Sequence, residues 1–367
     1  MTITTRKAGL SGLAILGASA LLLAGCAAAP EDDGSSASTA SDFKPCMVSD
    51  SGGFDDKSFN QLGYEGLQAA ADSLGVEAQA VESESDADYA SNIQTLVDAD
   101  CDLIVTVGFA LSAATVEAAL ANPDIDFAIV DDAADNDFDG TTDAPNIKPI
   151  LFDTAQAAFL AGYAASSYTT TGVLGTFAGI AYPTVTIFMD GFYQGMSYYN
   201  EQKGTAVALV GYDPANEDAT LATGAFTADD NAKSVAKTLI DQNADVILPV
   251  GGPIFQSAGA AIEESGKDIA LLGCDADVYE TFPTYDSLYF TSILKDMKNA
   301  VSDVVTGAAS GTFDVTAYIG TLENEGVGIA PFHDFEDKVS ADLQGELDDI
   351  SAQIVSGDIK VTSYLNP

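Results

Sequence analysis

The feature that most restricts this chain is a regular alternation, from Cys46 onward, of short β-branched runs with helical stretches. Leu103-Ile104-Val105-Thr106-Val107 is almost entirely apolar, as expected of a strand covered on both faces in a parallel sheet. Phe59 to Leu74 sets Phe59, Leu62, Gly66, Leu67, Ala70 and Leu74 on one helical face, with Ser58 placed to cap it and Gly75 to end it. The same reading expects strands at Met47–Ser49, Val76–Val81, Phe127–Val130, Val173–Phe177, Val207–Val210, Val246–Val250, Ile269–Leu272 and Tyr289–Leu294. Helices are expected around Tyr89–Val97 and at Ser112–Leu120, Pro183–Asn200, Asp229–Gln242 and Pro253–Ser265. Alternation of this kind predicts an α/β chain of right-handed βαβ units in doubly wound parallel sheets. The pattern runs too long for one sheet, so two lobes are expected, with a (β/α) barrel as the competing architecture.

In open parallel sheets a ligand sits beyond the carboxyl ends of the strands. That rule selects the loops after Ser49, Val107, Val130, Val250 and Leu272. Cys46 and Cys101 each lie just before or at the start of an expected strand, the first and the third. A 2-1-3 strand order makes those strands parallel neighbours and brings both cysteines to the end away from the ligand. A Cys46–Cys101 disulfide is therefore expected in an exported chain, the other reading being two buried thiols. Cys274 has no evident partner and falls in a ligand-side loop.

Charge narrows the function. Lys+Arg 13 against Asp+Glu 56 gives a formal net charge of -43, which repels nucleic acid and anionic lipid headgroups. One histidine (His333, given no role) and no tryptophan leave little material for histidine-metal sites or imidazole catalysis. No metal and no cofactor are expected.

The first 25 residues read as a secretory signal: Arg6 and Lys7, an apolar run from Ala8, then Leu22-Leu23-Ala24-Gly25-Cys26. Cysteine after small residues suggests a bacterial lipoprotein signal with Cys26 carrying the lipid, the alternative being an uncleaved anchor helix. Residues 26–42 are small, polar and Ser-rich, so they read as a flexible tether. Removing residues 1–25 takes Arg6 and Lys7 and no acid, leaving lysines as the only strong cations. A chain without the bidentate guanidinium fork suits a neutral ligand, although an acidic, arginine-poor composition also fits a high-salt habitat.

The loop after the first strand, Asp50 to Gln61, has two glycines and leads into a helix. Its acids oppose a phosphate cradle, and neither the P-loop nor the calcium-loop spacing is present. Val48-Ser49-Asp50-Ser51-Gly52-Gly53, followed by Asp56-Lys57-Ser58-Phe59-Asn60-Gln61, resembles the opening motif of the basic membrane protein (BMP, or PnrA-like) family. Val107-Gly108-Phe109, Phe127 to Asp131, Phe159-Leu160-Ala161-Gly162, Gly191-Phe192 with Gly195, Phe226 with Asp229, Val250-Gly251-Gly252 and Ser292 to Lys295 follow in family order. The likeness covers nearly all of the chain after the tether.

The resemblance implies a two-lobed type I periplasmic-binding-protein fold and a lipid-anchored receptor on the outer face of a bacterial membrane. Such a receptor captures a purine nucleoside between its lobes and delivers it to the permease subunits of an ABC importer; it is not an enzyme, and a monomer is expected. Phe59 and Phe226 would face the two sides of the base, and Asn60 and Asp131 would meet its polar edge. Asp50, Asp275 and Lys295 would hold the ribose, with Gly251 and Gly252 letting the backbone approach the sugar. Lys295 would pair with Asp275 or Asp50, Phe109 is a further wall candidate outside this set, and Asp55, Asp56 and Asp132 read as solvated or capping. One lobe is expected from residues 43–152 and 286–313, the other from 153–285 and 314–367. The rival readings are a sugar receptor of the same fold, a nucleoside-sensing lipoprotein and a nucleoside-hydrolysing surface enzyme.

Overall fold

The computed structural model describes residues 42–216 and 219–366. The signal segment, the Cys26 lipid site and nearly all of the tether lie outside the described residues. The first half runs β1 (Pro45–Ser49), α1 (Phe59–Leu74), β2 (Gln79–Val81), α2 (Tyr89–Asp98), β3 (Leu103–Val107), α3 (Ser112–Ala121), β4 (Asp126–Val130) and β5 (Ile147–Phe152). Next come α4 (Thr154–Tyr168), β6 (Val173–Ala178), α5 (Pro183–Lys203), β7 (Ala208–Val210), α6 (Asp230–Asp241), β8 (Val246–Val250), α7 (Ile254–Ser265) and β9 (Ala270–Asp275). The chain continues with α8 (Val278–Thr281), β10 (Tyr289–Lys295), α9 (Met297–Ala309), β11 (Tyr318–Gly320), β12 (Val327–Ile329) and α10 (Leu343–Ser356).

These strands form two six-stranded sheets, β11-β5-β4-β3-β1-β2 and β12-β10-β9-β8-β6-β7. Every pairing is parallel except β10 with β12. The central strands β1, β3 and β8 are buried along their whole length, which explains their near-continuous apolar sequence. In the first sheet β1 lies beside β3, and Cys46 and Cys101 are joined in a disulfide at the end where those strands begin. Cys274 is buried and free.

The chain takes a different path between the lobes from the one expected. Residues 286–313 do not all belong to the first lobe: β10 pairs with β9 in the second sheet, while α9 packs against α1 of the first. Residues 314–367 do not all belong to the second: β11 pairs with β5. The chain thus crosses between lobes near Asp153, at Asp296 and between β11 and β12. Sheet membership here depends on which lobe a crossing enters, and strand propensity carries no record of that.

Helix α4 was not legible either. Nearly all its residues are buried, so it shows no polar face and hence no helical period. It lies unusually close to α5: a Cβ on Gly195 would sit 1.9 Å from the Phe159 carbonyl oxygen, and one on Gly162 2.1 Å from that of Phe192. Those two glycines are there to let the helix backbones touch.

Candidate ligand-binding cleft

The cleft lies where the carboxyl ends of both sheets meet. From the first lobe it receives Asp50 after β1, Gly108 and Phe109 after β3, Asp131 after β4, and Phe59 and Asn60 from the first turn of α1. From the second come Phe226, the Val250-Gly251-Gly252 turn after β8, Asp275 ending β9 and Lys295 ending β10. All nine side chains and glycines selected as ligand-binding from the sequence line this one cavity: Asp50, Phe59, Asn60, Asp131, Phe226, Gly251, Gly252, Asp275 and Lys295. Asp56, read from the sequence as solvated or capping, also lines it, as do Thr184, Val185 and Phe188, which the sequence did not single out. Thr184, Val185 and Phe188 occupy the first turns of α5, and applying the strand-end rule after β6 would have pointed to the first two.

The start of α1 is held by Asp56, not by Ser58. Oδ1 of Asp56 accepts from the backbone N–H of Ser58 (2.9 Å) and Gln61 (3.1 Å), and Oδ2 from that of Asn60 (2.9 Å). Ser58 makes no side-chain cap; its hydroxyl donates across the cleft to the Cys274 carbonyl at 2.8 Å. Burial pushes the Asp56 carboxyl up to about 6 despite these N–H donors. Asp55, by contrast, is exposed and pairs with Lys57.

Asn60 is 2% exposed. Its Nδ2 donates to Asp50 Oδ1 at 2.7 Å and to Asp56 Oδ2 at 3.3 Å, so both amide hydrogens are used. Its Oδ1 is buried and has no partner within the protein. An unmatched acceptor in such a place costs about 1–3 kcal/mol, which a ligand N–H or O–H would recover. Burial also raises Asp50, against the pull of its bonds from Gly52 and Asn60.

The second cluster surrounds Lys295, which is 4% exposed. Its ammonium pairs with Asp131 and, at 3.3 Å, with Asp275; Asp50 is not its partner. The rings of Phe188 and Phe59 stand 4.9 and 5.2 Å from the charge, within cation–π range. Burial works to lower the Lys295 pKa, but the two carboxylates outweigh it and the net shift is upward. Burial also drives Asp131 upward, partly opposed by the lysine. Asp131 (φ 62) and Asp275 (φ 67) both adopt left-handed backbone at their strand ends. Strain of that kind costs of order 1–3 kcal/mol and gathers at binding sites.

Gly251 supports the Phe226 ring. Its φ is +147, and a Cβ there would lie 2.7 Å from Cδ1 of Phe226. The Phe226 ring therefore rests on bare backbone, with Gly179 beneath it in the same way. Phe226 also meets Phe109 edge-on, at 6.1 Å and 76°. Asp132 is tied to Ser112 and to the Ala134 N–H, as a capping residue would be. Away from the cleft, Asp135, Asp137 and Asp143 bring carboxylate oxygens within 4.8 Å of one another on the loop after β4. His333 stacks on Tyr279 and bonds Asp277, also outside the cavity.

The sequence and the fold both have counterparts. The chain is 26% identical to the ABC transporter nucleoside-binding protein BmpA of Lactococcus lactis, over 95% of this chain and 97% of that one. It is 30% identical to a lipoprotein of Pyrococcus abyssi, over 88% of this chain and 77% of that one. A solved ABC transporter solute-binding protein from Aeropyrum pernix superimposes with a TM-score of 0.76 at 23% identity, covering 88% of this chain and 93% of that one. The family described as ABC transporter substrate-binding protein PnrA-like matches residues 43–364, and the chain belongs to that family.

Proposed function

We propose that the cleft holds a purine nucleoside and that the protein, anchored by a lipid on Cys26, presents it to the permease of an ABC importer. The observation that carries this reading is a single cavity lined by Phe59 from one lobe, Phe226 from the other, and the unmatched acceptor of Asn60. Two aromatic rings offer stacking surfaces to a flat base, each contact contributing about 1–3 kcal/mol. In this reading Asn60 Oδ1 takes an N–H on the base edge, and Asp131 meets the same edge. Asp50, Asp275 and Lys295 hold the ribose hydroxyls, and Lys295 joins the two sets through its pairing with Asp131.

The charge of the cavity supports a neutral ligand. Asp50, Asp56, Asp131 and Asp275 line it against one lysine, which is already paired. A phosphate ester would meet repulsion with no cation to spare. The nucleoside named in the Lactococcus relative and the lipoprotein named in the Pyrococcus relative agree with the ligand and the anchor. The reading assigns no covalent step to the site.

Thermal unfolding with inosine, guanosine, adenosine, cytidine, ribose and glucose tests this. A ligand at 100 times its dissociation constant adds about 2.7 kcal/mol of stability. Purine nucleosides should raise the melting temperature while free sugars leave it unchanged. A response to sugars alone would replace this reading with a sugar receptor, and release of free base during incubation would make the protein a hydrolase.

A further inference from the structure

Among the described residues, the ring–ring contacts that bridge the two lobes both pass through Phe109. On one side it meets Phe226; on the other it lies flat against Tyr182, with centroids 3.9 Å apart and planes 11° apart. Phe109 follows β3 of the first sheet, whereas Tyr182 stands immediately before α5, among the elements of the second. Phe109 lines the cavity and Tyr182 does not; it stands one layer behind.

The tyrosine hydroxyl adds a polar bond across the lobes. It donates to Asp132 Oδ2 at 3.4 Å. The other oxygen of Asp132 accepts from Ser112 Oγ at 2.5 Å and from the Ala134 N–H at 2.7 Å, so the acceptor is fixed within the first lobe before Tyr182 arrives. Tyr182 also leads directly into the α5 turns that carry Thr184, Val185 and Phe188 into the cavity wall. Separating the lobes breaks the stack and the hydrogen bond together and draws those wall residues away from the first lobe.

We propose that Tyr182 is a positioning residue for ligand retention, a clasp that holds Phe109 against Phe226 and slows release without touching the ligand. The ligand part of this rests on the reading of the cleft given above; the clasp itself does not. A stacked pair of this geometry favours the closed form by a modest factor, larger than that of one long hydrogen bond.

The test compares Tyr182→Ala, Tyr182→Leu and Tyr182→Phe with the unaltered protein, reading inosine association and dissociation separately and the radius of gyration by X-ray scattering without ligand. Tyr182→Ala and Tyr182→Leu should release inosine about tenfold faster with no fall in the association rate. Both should show a larger unliganded radius, restored at saturating inosine. Tyr182→Phe keeps the stack and should stay within about threefold of the original release rate. Folded Ala and Leu variants with unchanged release and unchanged radius would overturn the proposal; so would a loss confined to the association rate. If Tyr182→Ala does not fold, the Leu and Phe variants decide it. If the unaltered protein does not bind inosine, the nucleoside reading fails, and the unliganded radii alone decide whether Tyr182 clasps the lobes.

Discussion

Two buried acidic clusters face each other in this cleft, and their charges are balanced by different means. Around Asn60, the partners of Asp50 and Asp56 among the described residues are N–H groups: one side-chain amide, the Gly52 backbone and the backbone at the start of α1. Around Lys295, Asp131 and Asp275 share an ammonium ion enclosed by phenylalanine rings. Dipoles on a helix end are spread over several bonds, so losing one is tolerable. An ammonium ion is a single partner, and its loss leaves two carboxylates facing each other. The first cluster keeps an acceptor open for a ligand; the second closes most of its own charge and fixes the strand ends.

Lys295→Met breaks the second cluster and should have the largest effect. Removing one side of a buried pair costs about 3–5 kcal/mol, because the remaining charges stay buried. Urea unfolding at neutral pH should show a loss of about 3 kcal/mol, partly regained on acidification as the Asp131 carboxyl, already pushed up by burial, takes up a proton. A loss under about 1 kcal/mol would mean that water compensates this cluster, and the contrast between the two would vanish.

Asp56→Asn probes the first cluster and should cost less, about 1 kcal/mol, as for the loss of a helix cap. It also has a signature in pH. The folded carboxyl titrates at about 6, above its ordinary 3.8, because burial disfavours the charge. Folding therefore favours the protonated form, and this contribution is complete below pH 3.8 and lost as the pH rises through 6. Between pH 4 and 6 the unaltered protein should lose stability with rising pH more steeply than Asp56→Asn. Parallel profiles would show that Asp56 is not buried in the way described.

How much of this the sequence disclosed follows the same physics. Alternation of short apolar runs with periodic helices was visible because β1, β3, β8 and α1 each keep a regular buried pattern. Helix α4 escaped because it is buried on almost every side, and β10 was placed in the wrong lobe because its crossing point at Asp296 has no local signature. In the cleft, the residues at strand ends and in the first turn of α1 came from the family resemblance that the motifs carry. Phe188 did not, since an aromatic within a helix reads as core until the opposite lobe is known. Ser58 fails as the cap because its hydroxyl is taken by the Cys274 carbonyl, 216 residues away, and Asp56, one of the loop acids read as solvated or capping, holds the helix start instead.

If Phe59 and Phe226 share one ligand, calorimetric titration of inosine into the unaltered protein, Phe59→Ala and Phe226→Ala will register the loss of each ring. The unaltered protein should bind, and each variant should lose about tenfold to a hundredfold in affinity with circular dichroism unchanged. Equal affinity in all three would contradict a shared ligand.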